Sequence, residues 1–125
     1  MNEETLENFK SRMNSEYAKQ GSIYFDRQGR ELQLMDWASK FEDKEYQIVK
    51  QDRIGKYFVS TVWLGINHRF MRGGPPLIFE TMVFVDDEKD PLNEYQERYS
   101  TEEEAVNGHE DTIAIVKAYM NLEKR

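Results

Sequence analysis

The chain contains no cysteine. That excludes a disulfide framework, a thiolate metal site and a cysteine nucleophile, and it points to a reducing compartment. Long apolar runs are missing too. The longest mostly apolar stretch, Phe58 to Ile66, falls far short of the roughly 20 residues that cross a bilayer. The opening Met-Asn-Glu-Glu-Thr is acidic and has no apolar signal core, so a cytoplasmic protein with no membrane partner is expected. No Gly-x-Ser-x-Gly, Gly-x-x-x-x-Gly-Lys or His-Glu-x-x-His occurs, which removes the familiar serine-hydrolase, phosphate-loop and zinc-peptidase signatures. What is present suits one small domain. The chain has 125 residues, of which 38% are apolar and 13% aromatic, enough bulky surface for a core, so residues 1–125 are expected to fold as a unit. Charged residues reach 33%, but this aromatic content argues against disorder.

The net charge of −7 is unevenly placed. Between Asp86 and Asp111 there are eleven acids against two bases, Lys89 and Arg98, so the remainder of the chain is mildly basic. Affinity for nucleic acid comes largely from Lys and Arg neutralising phosphates. A protein with one strongly acidic side and one weakly basic side is therefore not expected to bind nucleic acid through a basic face.

Periodicity predicts the architecture. Leu6, Phe9, Met13 and Tyr17 recur at helical spacing, with Gly21 placed to close that helix. Ser22–Phe25 and Arg30–Leu34 flank Asp26-Arg27-Gln28-Gly29, a type I turn pattern, and read as a hairpin. Leu34, Trp37, Ala38 and Phe41 fall on one face of a short middle helix that ends at Glu42–Glu45. A strand from about Tyr46 to Asp52 follows, with Asp52-Arg53-Ile54-Gly55 as a second turn of the same form. Lys56–Ile66 and Leu77–Val85 are apolar on both alternating sets, the mark of central strands covered on both faces. They are expected to pair antiparallel across the ten-residue loop Asn67–Pro76. Glu94–Tyr99 alternates like an edge strand. Ser100 with Glu103 and Thr101 with Glu104 form two overlapping capping boxes for a last helix, whose stripe reads Val106, His109, Ile113, Val116 and Met120. The whole predicts an α+β domain: a curved antiparallel sheet of four to five strands packed with N-terminal, short middle and C-terminal helices.

Candidate chemistry centres on the loop. His68, Arg69 and Arg72 form a local basic cluster beside Phe70, and Gly73-Gly74 offers exposed amides to an anion. Glu80 interrupts an apolar strand and is either an exposed sheet position or a polar site residue. These seven residues are the expected ligand- or partner-binding set. His109, on an apolar stripe, reads first as a packed and satisfied histidine, with a ligand or general base as the alternative. Trp37 and Trp63 read as core. No catalytic residue, metal ligand or cofactor is expected.

Two stretches carry a resemblance. They are Ser-Thr-Val-Trp-Leu-Gly-Ile-Asn-His-Arg-Phe from Ser60 and Gly-Gly-Pro-Pro-Leu-Ile-Phe-Glu-Thr-Met-Val-Phe up to Phe84. With Arg98–Ala105, Gly108-His109-Glu110, Tyr24–Gly29 and Met35–Ala38, the block resembles a family of small uncharacterised proteins encoded by bacteriophages and prophages. The likeness spans about residues 23 to 110. Family members often carry a plain Gly-rich loop where this chain has Arg69, Met71 and Arg72. The resemblance implies a phage accessory role in the host cytoplasm and transfers no catalytic residue. The expected function is non-catalytic: binding that inhibits or sequesters a host component, either a defence protein or an anionic, nucleotide-like signal. The alternative is a small enzyme acting on a phosphorylated or nucleotide substrate at loop 67–76. Tyr95, Tyr99, Met82 and Phe84 add apolar surface that suits a homodimer.

Overall fold

The computed structural model describes residues 23–67 and 74–124. The first hairpin, β1 (Tyr24–Phe25) and β2 (Glu31–Leu32), pairs antiparallel. Its turn is closed by the Gly29 amide donating to the Asp26 carbonyl at 3.0 Å. Asp26 fixes it further, its carboxylate accepting from the amides of Gln28 and Arg30 and from the Arg30 guanidinium. Burial pushes the Asp26 carboxyl up, but these donors outweigh it and hold the group below its usual value.

Helix α1 (Leu34–Glu42) lies under the hairpin. Trp37 stacks between Tyr24 and Phe41, each about 5.0 Å away ring to ring, and its indole N–H donates to the Leu64 carbonyl. The chain does not enter a strand directly. Asp43 accepts from the amides of Glu45 and Tyr46 and so caps a further turn, α2 (Lys44–Gln47), which places Tyr46 in a helix rather than in the expected strand.

The main sheet runs β3 (Ile48–Ile54), β4 (Tyr57–Trp63), β5 (Phe79–Phe84) and β6 (Gln96–Tyr99), every neighbour antiparallel. The expected turn at Asp52–Gly55 is corrected. Asp52 is paired with Val59 in mid-strand, and the reversal is the two residues Gly55-Lys56, Gly55 taking φ +59. That left-handed backbone costs glycine little. An Asp-to-Gly tetrapeptide fits a turn locally, but the antiparallel pairing of β3 with β4 at six positions, from Ile48 with Val62 to Ile54 with Tyr57, outweighs it.

Helix α3 (Glu102–Glu123) crosses one face of all four strands. Of the two capping boxes, the Thr101 and Glu104 pair is the one formed. Tyr57, Val59, Thr61 and Trp63 of β4 and Phe79, Thr81 and Val83 of β5 face the helix and are buried. The stripe differs from expectation. Ala105, His109, Thr112 and Val116 are inward, whereas Val106 is 37% exposed. Small and polar residues sit closest to the sheet, where a bulky apolar residue would hold the helix off. On the opposite sheet face Ser60 and Glu80 are buried, Phe58, Val62 and Met82 are half-buried and Phe84 is 49% exposed, and among the described residues no helix lies across it. The expected N-terminal helix falls outside the described residues. No described helix is long and apolar enough to cross a membrane.

Candidate functional site

The interface between α3 and the sheet holds a polar chain inside an otherwise apolar layer. His109 is fully buried. Its Nε2 lies 2.8 Å from Asp52 Oδ2 and its Nδ1 2.6 Å from Thr61 Oγ1, and Thr61 is hydrogen-bonded in turn to Thr81. Strand register explains the grouping, because Thr61 and Thr81 are direct partners across β4 and β5.

The direction of each bond follows from valence. A carboxylate only accepts, so Nε2 carries a proton; in the neutral imidazole Nδ1 then accepts from the Thr61 hydroxyl, and in the imidazolium it donates to it. In the neutral form Thr61 has spent its proton and accepts from Thr81. The connectivity is that of a carboxylate, imidazole and hydroxyl triad, yet Thr61 is fully buried and its oxygen is already engaged by two partners. A substrate cannot reach it. The chain fastens α3 to the sheet.

Beyond Thr81 lies Tyr99, whose phenol oxygen is buried without a well-formed hydrogen bond. The hydroxyls of Thr81 and Thr112 lie beside it, and burial raises the phenol's pKa above its ordinary value. Thr112 donates to the Gly108 carbonyl at 2.8 Å. Gly108 is there because Tyr99 needs the space: a Cβ on it would stand 2.2 Å from the phenol oxygen.

Tyr99 forms the floor of an open groove of about 290 Å³ between β6 and α3. Tyr95 and Glu97 line one wall with Tyr99; Gly108, Asp111, Thr112 and Ile115 line the other. The groove holds two carboxylates and two phenols and no basic side chain. It lies within the acidic part of the chain, beside the first turn of α3 with Glu102, Glu103 and Glu104. The preceding acidic loop is anchored by buried Asp90, which accepts from the Tyr57 hydroxyl at 2.7 Å and the Leu92 amide at 2.9 Å and meets Lys56 at 3.3 Å. Burial pushes the Asp90 carboxyl up, but these donors prevail and its pKa is lowered.

Of the residues expected to bind a ligand or partner, His68, Arg69, Phe70, Arg72 and Gly73 lie outside the described residues. Gly74 is exposed at φ +81. Glu80 is buried on the sheet face away from α3, opposite Val62 and Arg98, and accepts from Arg98 Nε at 3.0 Å. Both nitrogens of His109 are occupied, as a packed histidine requires. Asp52, Thr61 and Thr81 were not legible as a group, since only strand register brings them together. Gly108 did carry a signal, being a glycine in the interior of an otherwise strong helix. Among the described residues, no three His, Cys, Asp or Glu side chains gather as a metal site.

No protein-family model matches this chain, and neither a curated protein nor a solved structure is significantly similar to it.

Proposed function

We propose that this is a non-catalytic binding protein, of the phage accessory kind its sequence resembles, which blocks a host protein by docking its acidic β6–α3 edge on a basic surface. The observation that carries this is the groove itself: two carboxylates and two tyrosines on one edge, with no base among the seven lining residues. Interfaces are enriched in tyrosine, and opposite charge across them raises association rates and excludes wrong partners. Size points the same way. A groove of about 290 Å³ that stays open to solvent is at the small end for enclosing a nucleotide-like molecule and suits side chains of a partner. Self-association belongs to the same proposal: a dimer through the sheet face bearing Phe58, Met82 and Phe84 leaves the groove free.

The test is cross-linked capture from host cells with three forms of the full chain. The wild type is compared with Glu97→Lys/Asp111→Lys and with Arg69→Ala/Arg72→Ala. The proposal expects a protein partner that the first variant loses and the second keeps. A partner lost only with the arginines moves the site to loop 67–76, and a small molecule retained in native mass spectrometry replaces blocking by sequestration.

A further inference from the structure

We infer that the β6–α3 groove is a receptor for one cationic side chain, a lysine or arginine carried on an extended segment of the partner; this rests on the docking proposal and specifies its chemistry. Charge comes first. Glu97 and Asp111 reach the groove from opposite walls, and neither takes an ion pair or hydrogen bond among the described residues. Elsewhere in the acidic stretch Glu102 holds Arg27 at 2.7 Å, Glu110 holds Lys50, and Asp90 holds Lys56 and Tyr57. The groove acids are thus two carboxylates on facing walls with no cation of their own.

Aromatic walls come second. The rings of Tyr95 and Tyr99 border the same space, and an aromatic face attracts ammonium and guanidinium groups. The Tyr99 phenol oxygen is itself buried against Gly108, with the Thr81 and Thr112 hydroxyls beside it, so the residue gives the groove its ring and not its oxygen. A phosphate or carboxylate would meet two like charges, whereas a lysine or arginine supplies the opposite charge and donors for both carboxylates. Among the described residues β6 is an edge strand, and an extended backbone beside it would present such a side chain at the groove.

The test is an NMR titration of the full chain with short extended peptides that differ only at the central residue: lysine, arginine, norleucine or glutamate. The lysine and arginine peptides should give saturable shifts at the amides of Tyr99, Gly108, Asp111 and Thr112. The norleucine peptide should bind about tenfold or more weakly and the glutamate peptide not at all. Glu97→Gln/Asp111→Asn should weaken the lysine peptide by at least about tenfold with an unchanged melting temperature, because neither carboxylate supports the fold. Norleucine binding as tightly as lysine, unchanged affinity in that variant, or shifts scattered over residues 86–104 without saturation would each overturn the inference. If these fail while Glu97→Lys/Asp111→Lys still loses the captured partner, the docking proposal stands and only the single-cation receptor falls.

Discussion

The buried polar chain makes separable demands on single residues. Thr61→Val keeps the shape but strands the Thr81 hydroxyl and the His109 Nδ1 in a dry layer. Each unsatisfied buried group costs about 1–3 kcal/mol, so with two of them thermal or urea unfolding should show a loss of about 2–6 kcal/mol. Adding Thr81→Val should cost little more, because it removes one of the orphans the first change created, and additivity of the two would contradict the chain. Tyr99→Phe, by contrast, removes a hydroxyl that has no formed bond and should leave stability unchanged or slightly raised. A different control operates at Asp90. Its carboxyl is held below the ordinary value of 3.8 by Tyr57, the Leu92 amide and Lys56 despite burial, so its contribution is fully present above about pH 4 and is lost as pH falls through the lowered folded value. Asp90→Asn should therefore destabilise the protein at pH 7, and the gap from wild type should narrow as melts are taken below pH 4. A constant gap would assign the Asp90 contacts no charge-dependent role.

Among the elements, local chemistry decided what could be read in advance. The Asp26–Gly29 turn, the two apolar central strands and the Thr101/Glu104 cap were all legible, because each depends on residues within a few positions of one another. Asp52 was misplaced in a turn for the converse reason: its partner is His109, 57 positions away. The inward stripe of α3 was displaced toward Val106 because apolar periodicity gives weight to bulk, while close approach to β5 and β6 selects Ala105, Gly108 and Thr112. The groove was invisible for the same reason, although the acidic edge that contains it was not. Gly108 supports one prediction. Alanine would normally gain about 1 kcal/mol over glycine inside a helix, but here its methyl meets the Tyr99 ring at 2.3 Å. Overpacking typically costs about 1–3 kcal/mol, so Gly108→Ala should lower the melting temperature, and a rise would mean that the ring yields freely.

Across the molecule, charge and apolar surface are segregated. The segment from Asp86 to Asp111 carries eleven of the 24 acids, and the exposed apolar patch around Phe84, with Phe58 at 6.4 Å and the Arg53 guanidinium 5.4 Å from the Phe58 ring, lies on the sheet face away from α3. A symmetric dimer through this patch is expected, with sedimentation showing about twice 14.9 kDa at micromolar concentration and Phe84→Lys returning the monomer. A monomer in the wild type would remove that part of the account. The central claim is that the β6–α3 edge is the docking surface, and hydrogen–deuterium exchange of the complex with its captured partner tests it most directly. The account predicts slowed exchange over residues 95–99 and 108–115, with loop 67–76 unchanged. Protection confined to that loop, with the edge exchanging as in the free protein, would contradict it.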